Sequence, residues 1–160
     1  TPCGTLFPYT TLFRSGFPSD DPKIVYGLIR HLMDKIQNYA GKMTFFRQDH
    51  IEDAHTVLVS YGAAARSARH LVENRRKRGE RLGLLELQTL WPFPGDVVRK
   101  ICKNADYIVV VELNTGQVIR EVKLAVDRPE RVYLANRIDG QLISPTDIQN
   151  ILRLLHGKGV

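Results

Sequence analysis

From Gly16 onward the sequence predicts an α/β domain of three layers, αβα, with a mostly parallel sheet between helices. Three observations carry that prediction. The runs TVLVSY at 56–61 and YIVVVE at 107–112 are apolar and β-branched without alternation, as in strands buried on both faces. Segments of helical periodicity separate such runs, which is the βαβ pattern of a parallel sheet. The whole chain, at 160 residues, has room for one continuous core.

The elements follow in order. Asp20 or Asp21 caps a helix with Pro22 in its first turn, where the missing N–H costs nothing. Ile24, Leu28, Leu32 and Ile36 then recur at helical spacing, and Gly41 is the predicted stop. This amphipathic helix and the linker before it occupy 16–43, and the α/β domain occupies 44–160. Thr44–Arg47 is a short extended piece. A strand at Thr56–Tyr61 ends at Gly62, and a helix from Ala63 to Arg78 is closed by Gly79. A strand at Leu82–Leu87 leads into the loop 88–94 and a helix from Gly95 to Asn104. The strand Tyr107–Glu112 precedes a helix from Gly116 to Val126. A short strand, Val132–Ala135, a turn at Asp139–Gly140 and a helix from Pro145 to Leu155 complete the domain.

Residues 1–15 stand apart. Thr5–Ser15 reads TLFPYTTLFRS, which resembles the in-frame translation of a common short-read sequencing adapter. The expectation is that 1–15 is an artefact without order, standing where a natural N-terminal part belongs, and it is excluded from fold reasoning. With Cys3 set aside, Cys102 remains, which gives neither a disulfide framework nor a C-x-x-C pair. A reducing, cytoplasmic setting is the default. No apolar run approaches the ~20 residues of a membrane helix, so no membrane partner is expected.

The formal charge is +6, and its densest stretch is Arg75, Arg76, Lys77, Arg78 and Arg81. Cations at a helix C-terminus complement its dipole, so a solvated helix end is the leading reading and a docking patch for an acidic partner the second. Nucleic acid is not an expected partner, because no recognition motif accompanies the charge. The five histidines are scattered, and phosphate-binding and nucleophile-elbow motifs are absent. No self-contained active site is predicted.

Functional groups in such folds gather at the carboxyl ends of the strands, and three segments there are candidates. Tyr61-Gly62 with Arg66 and Ser67 surround a run of alanines; small residues there either admit a ligand or pack the helix on the sheet. Glu112, Asn114, Gly116 and Gln117 follow the next long strand; they suit hydrogen bonding across an interface or a turn with a helix cap. Trp91-Pro92-Phe93-Pro94 is apolar and stiff for a loop, so it either folds back over the sheet edge or anchors an interface.

Taken together, VLVSYGAAARSAR, LGLLELQTLWPFP and IVVVELNTGQVIREV, in that order and spacing, resemble the C-terminal domain of the α subunit of 2-oxoacid:ferredoxin oxidoreductases, the 2-oxoglutarate type most closely. The resemblance covers about 21–155. It implies a fold similar to the C-terminal domain of transketolase. It implies a complex that converts a 2-oxoacid and coenzyme A to an acyl-CoA and CO2, with electrons passed to ferredoxin. Thiamine diphosphate, magnesium and an iron–sulfur cluster would belong to that complex, and none of them to this fragment. The implied partners are the α-subunit N-terminal domain, the β subunit, ferredoxin and coenzyme A. Trp91, Pro92, Phe93 and Pro94 match the family's WPFP, and Glu112, Asn114, Gly116 and Gln117 its E-x-N-x-G-Q; both would shape subunit contacts, with no catalytic, cofactor or metal residue in the fragment. The domain by itself should then expose an apolar surface at Trp91 or on the 21–39 helix. The alternatives are a stand-alone α/β interaction or small-ligand module, and a transketolase-type domain.

Overall fold

The computed structural model describes residues 11–12 and 18–156, with side chains from 20 to 155. The segment read as adapter-derived lies outside the described residues, except Thr11–Leu12 (β1), which pairs antiparallel with Pro18–Ser19 (β2). The chain divides into two compact units, 1–43 and 44–160. The first holds α1, Pro22–Met43, amphipathic and with no buried residue. Asp21 Oδ1 accepts from the Lys23 N–H at 2.9 Å, as expected at a helix start. Gly41 does not stop this helix: nothing lies within 4 Å of where its Cβ would be, and its φ is not left-handed, so the helix continues to Met43.

The second unit is a five-stranded sheet, order β3-β5-β4-β6-β7, between two layers of helix. β3 (Phe46–Asp49) pairs antiparallel with β5 (Leu82–Leu87), while β4 (Thr56–Tyr61), β5, β6 (Tyr107–Glu112) and β7 (Val132–Asn136) run parallel. The extended piece expected at 44–47 is therefore shifted by two residues, into pairing with β5. Successive residues of each strand face opposite layers. Val57, Val59, Leu85, Leu87, Ile108 and Val110 pack with α3 (Gly95–Cys102) and α4 (Val118–Ala125). Leu58, Leu84, Val109, Val111 and Ala135 pack with α2 (Gly62–Arg76) and α5 (Pro145–His156). This two-sided burial is why the strands lack polar alternation.

Local chemistry sets the helix ends. α2 stops at Arg76, before the Gly79 that should close it, and Gly79 at φ +81° serves the turn beyond. α5 begins with a capping box: Ser144 Oγ accepts from the Asp147 N–H at 3.2 Å, and Asp147 Oδ2 from the Ser144 N–H at 2.8 Å. Hydrogen bonding to Ser144 holds the Asp147 carboxyl below its ordinary pKa.

Candidate functional site

The chain leaves β4 through α2 toward β5 and leaves β6 through α4 toward β7, with the two helices on opposite faces. Between the carboxyl ends of β4 and β6 the connections therefore diverge. That is the switch point at which open α/β sheets bind ligands. Here it is spanned by side chains. Asn114 Nδ2 donates to the Tyr61 hydroxyl at 2.6 Å, joining the two strand ends. Asn114 Oδ1 accepts from the Gly116 and Gln117 N–H groups at 2.8 and 2.9 Å, which folds the turn. Asn136, at the end of β7, donates from Nδ2 to the Asn114 carbonyl at 2.8 Å.

Glu112 lies beneath this turn, fully buried. Its Oε2 accepts from the Val118 N–H at 3.0 Å and its Oε1 from the Ile119 N–H at 3.2 Å. The side chain thus satisfies two of the orphan donors at the start of α4 and places a carboxylate against the positive end of that helix. Gly116, at φ +97°, turns the backbone into α4; a Cβ there would lie 3.2 Å from Ile119 Cγ2. The helix expected from Gly116 consequently begins at Val118. Burial raises the Tyr61 pKa, and the nearby charge of Glu112 raises it further, while the Asn114 hydrogen bond acts in the opposite direction.

With its pKa raised in the fold, Tyr61 contributes stability that is complete below the ordinary tyrosine pKa of ~10 and is lost as pH rises through the folded value. An ultraviolet absorbance titration of Tyr61→Phe should lack the latest-ionising tyrosine component of the parent. Loss of a component in the ordinary tyrosine range instead would mean that water reaches the hydroxyl freely.

The other sequence candidates divide. Gly62, at φ +57° and exposed, starts α2. Ala64, Ala65 and Ala68 are buried against the sheet, so packing is what the small residues do. Arg66 is exposed and Ser67 half-buried on the same helix. The Trp91–Pro92 bond is cis. Trp91 is 79% exposed beside the half-exposed Leu90, whereas Phe93 packs on the core and Pro94 is buried. One half of the loop folds back and the other half faces outward. The Phe45 carbonyl accepts from the Gln88 and Thr89 N–H groups at 3.0 and 3.1 Å, which ties this loop to a second exposed aromatic segment, Phe45-Phe46.

The basic run is largely bound to the fold. Arg76 donates to the Leu82 and His50 carbonyls, each at 2.6 Å, and to Asp53 at 2.7 Å, and Arg75 pairs with Glu80. Among the described residues no three His, Cys, Asp or Glu side chains converge as metal ligands. Burial pushes the Cys102 thiol up to about 12, which makes it a packing group. These residues do not fit an iron–sulfur cluster, which needs several thiolates, or a magnesium-bound diphosphate.

The model of the family described as pyruvate:ferredoxin oxidoreductase core domain II matches residues 54–148. The chain belongs to this family. It is 33% identical to the 2-oxoglutarate synthase subunit KorA of Methanothermobacter thermautotrophicus over 152 residues, 93% of this chain and 40% of that subunit. It is 36% identical to the ketoisovalerate oxidoreductase subunit VorB of Methanothermobacter marburgensis over 108 residues, 68% of this chain and 30% of that subunit. The chain thus spans well under half the length of these relatives. Among solved structures, a 2-oxoglutarate:ferredoxin oxidoreductase from Magnetococcus marinus superposes with a TM-score of 0.73 at 16% identity, over 89% of this chain and 25% of that one. A split-gene transketolase superposes at 0.55 and 12% identity, over 68% of this chain and 40% of that one. At those identities the superpositions establish fold: core domain II here has the transketolase-like three-layer architecture. Among the described residues no helix is long and apolar enough to cross a membrane.

Sequence reasoning missed Asn136, because its role depends on β7 lying beside β6, and Ser60, whose Oγ donates to the Val111 carbonyl at 2.8 Å within the core. An isolated serine in an apolar strand was the available signal for the second, and a place at the carboxyl end of a predicted strand for the first.

Proposed function

We propose that this core domain II works within the α subunit of a 2-oxoacid:ferredoxin oxidoreductase of the 2-oxoglutarate synthase type, and that its task there is subunit assembly. The whole enzyme would oxidatively decarboxylate a 2-oxoacid to its acyl-CoA and pass the electrons to ferredoxin, in the cytoplasm. Thiamine diphosphate with magnesium and the iron–sulfur cluster would be held by the other parts, namely the α-subunit N-terminal domain and the β subunit. The carrying observation is the 33% identity to a 2-oxoglutarate synthase subunit across 93% of the chain.

The geometry supports a scaffold. Glu112, Asn114 and Tyr61 are engaged in holding β4, β6 and α4 together, while Trp91 presents a large aromatic surface. Gln117, exposed beside that turn, and Arg66 and Ser67 on α2 would border the same contact surface.

The test is a transplant. Residues 44–156 replace the matching segment of the Methanothermobacter thermautotrophicus subunit, and the chimera is co-produced with its β subunit. It should assemble and show 2-oxoglutarate- and coenzyme A-dependent ferredoxin reduction, while the 160-residue chain alone should show none. Trp91→Ala in the chimera should weaken co-assembly by about thirtyfold, as for a hot-spot aromatic. A folded chimera that binds the β subunit equally well with and without Trp91 would remove that residue from the interface. A folded chimera that does not assemble would overturn the proposal.

A further inference from the structure

We propose that the amino-terminal end of the sheet carries a binding site for a small organic phosphate, in a cavity whose charge comes from Arg75, Arg81 and Arg153. The cavity measures about 660 Å³ and opens between the starts of β4, β5 and β6 and the helices α2 and α5. That size lies within the ~300–1,000 Å³ of small-molecule sites. Its lining sets three guanidinium groups against one carboxylate, Glu80, so an anion is the complementary occupant.

The arginines are positioned by the fold. Asp106 Oδ2 lies 2.8 Å from His55 Nδ1, and His55 Nε2 lies 3.1 Å from Arg81 Nη1. With the His55 proton on Nδ1 the chain is consistent throughout: the ring donates to the carboxylate and accepts from Arg81. The strand ends beneath are joined by backbone bonds, from the His55 N–H to the Arg81 carbonyl at 3.0 Å and from the Asp106 N–H to the His55 carbonyl at 2.8 Å. Outside the lining, on α5, the Gln149 amide oxygen, in the orientation its neighbours require, accepts from Arg153 at 2.6 Å and from Arg75 at 3.1 Å. Arg75 is the deepest of the three, with its side chain 15% exposed. Its Nε is buried with no hydrogen-bond partner. A purely structural ion-pair cluster would be expected to balance its charge, and this lining does not.

The ligand class follows from the lining. Guanidinium forks match phosphate oxygens in pairs. Leu82, Leu152 and Tyr107 supply an apolar wall for an organic body. The shape favours a small molecule over a polyanionic surface, because Arg76, the neighbour in sequence, is turned into carbonyls and Asp53 and adds nothing to a flat basic face.

Phenyl phosphate and inorganic phosphate are titrated calorimetrically into the 160-residue chain at constant ionic strength. Saturable one-to-one binding is expected, tighter for phenyl phosphate, and weakened about tenfold by Arg153→Gln and by Arg81→Gln, each removing one charge-assisted contact. Arg120→Gln, on the exposed side of α4, should leave it unchanged. Arg153 sits exposed on α5, so its variant keeps the test open where Arg81→Gln fails to fold. Heats that track ionic strength alone, or equal losses in the Arg120 and Arg153 variants, would overturn the proposal. Binding of an acidic peptide in place of either phosphate would overturn it too, in favour of a protein partner.

Discussion

Replacing Glu112 with alanine should cost the domain about 3–5 kcal/mol, a large share of the ~5–15 kcal/mol that typically separates a folded domain from its unfolded chain. The carboxylate is fully buried and accepts from the N–H groups of Val118 and Ile119, themselves buried residues at the start of α4. Its loss leaves two helix donors without acceptors, each costing about 1–3 kcal/mol, and removes a negative charge from the positive end of the helix. The turn then loses its anchor, because Asn114 is held only a few residues away. Glu112→Gln preserves the volume and one acceptor but turns an amide N–H toward a helix N–H. Its cost should be smaller, about 1–2 kcal/mol. Urea unfolding of the two variants against the parent gives both numbers. Hydrogen exchange should quicken first at Val118 and Ile119. An alanine variant within 1 kcal/mol of the parent would mean that water enters beneath the turn and takes over the cap.

That dependence of α4 on a residue in the preceding strand explains what the sequence could and could not convey. The strands β4, β5 and β6 were legible to the residue, because burial on both faces leaves an apolar run, β-branched in β4 and β6 and leucine-rich in β5. Helix ends were legible in part: α3 and α5 begin where expected, at Gly95 and Pro145, but other ends do not. α4 starts two residues late because Asn114 and Glu112 take up its first donors and Gly116 adopts φ +97°. α1 runs past Gly41 because a glycine without a left-handed φ is a weak stop. β3 was only half legible, since its side chains are mostly exposed and its register is set by β5 across a long stretch of chain. The Trp91 loop combined both readings, with Phe93 and Pro94 inward and Trp91 outward. Of the arginine cavity only Arg75 and Arg81 stood out in sequence, within the basic run, because its lining comes from five elements that meet only once the sheet has formed.

Gly83→Ala should destabilise the domain by about 2–3 kcal/mol, although it adds a single methyl group to a strand. Glycine inside a strand usually marks a close approach of another backbone, and here the approach can be identified. A Cβ at Gly83 would lie 2.8 Å from the His50 carbonyl oxygen, 2.9 Å from Ala54 Cβ and 3.0 Å from Ile51 Cδ1. Two of the three cannot swing aside, because one is backbone and the other has no rotatable side chain. The His50 carbonyl is fixed by the Arg76 guanidinium at 2.6 Å, and Arg76 is fixed in turn by Leu82 and Asp53. His50 holds its own backbone at φ +56°, so the segment has little latitude to move outward. Relief must come from displacing the segment between β3 and β4 as a unit, which loosens the antiparallel edge of the sheet. Thermal unfolding of Gly83→Ala should show a lower midpoint. In the double variant Gly83→Ala/Arg76→Gln, the two losses should sum to less than the singles, because freeing the His50 carbonyl lets the segment yield. Strict additivity would show that Arg76 does not restrain this segment, and a neutral Gly83→Ala would show that the segment between β3 and β4 is free to move away from the sheet.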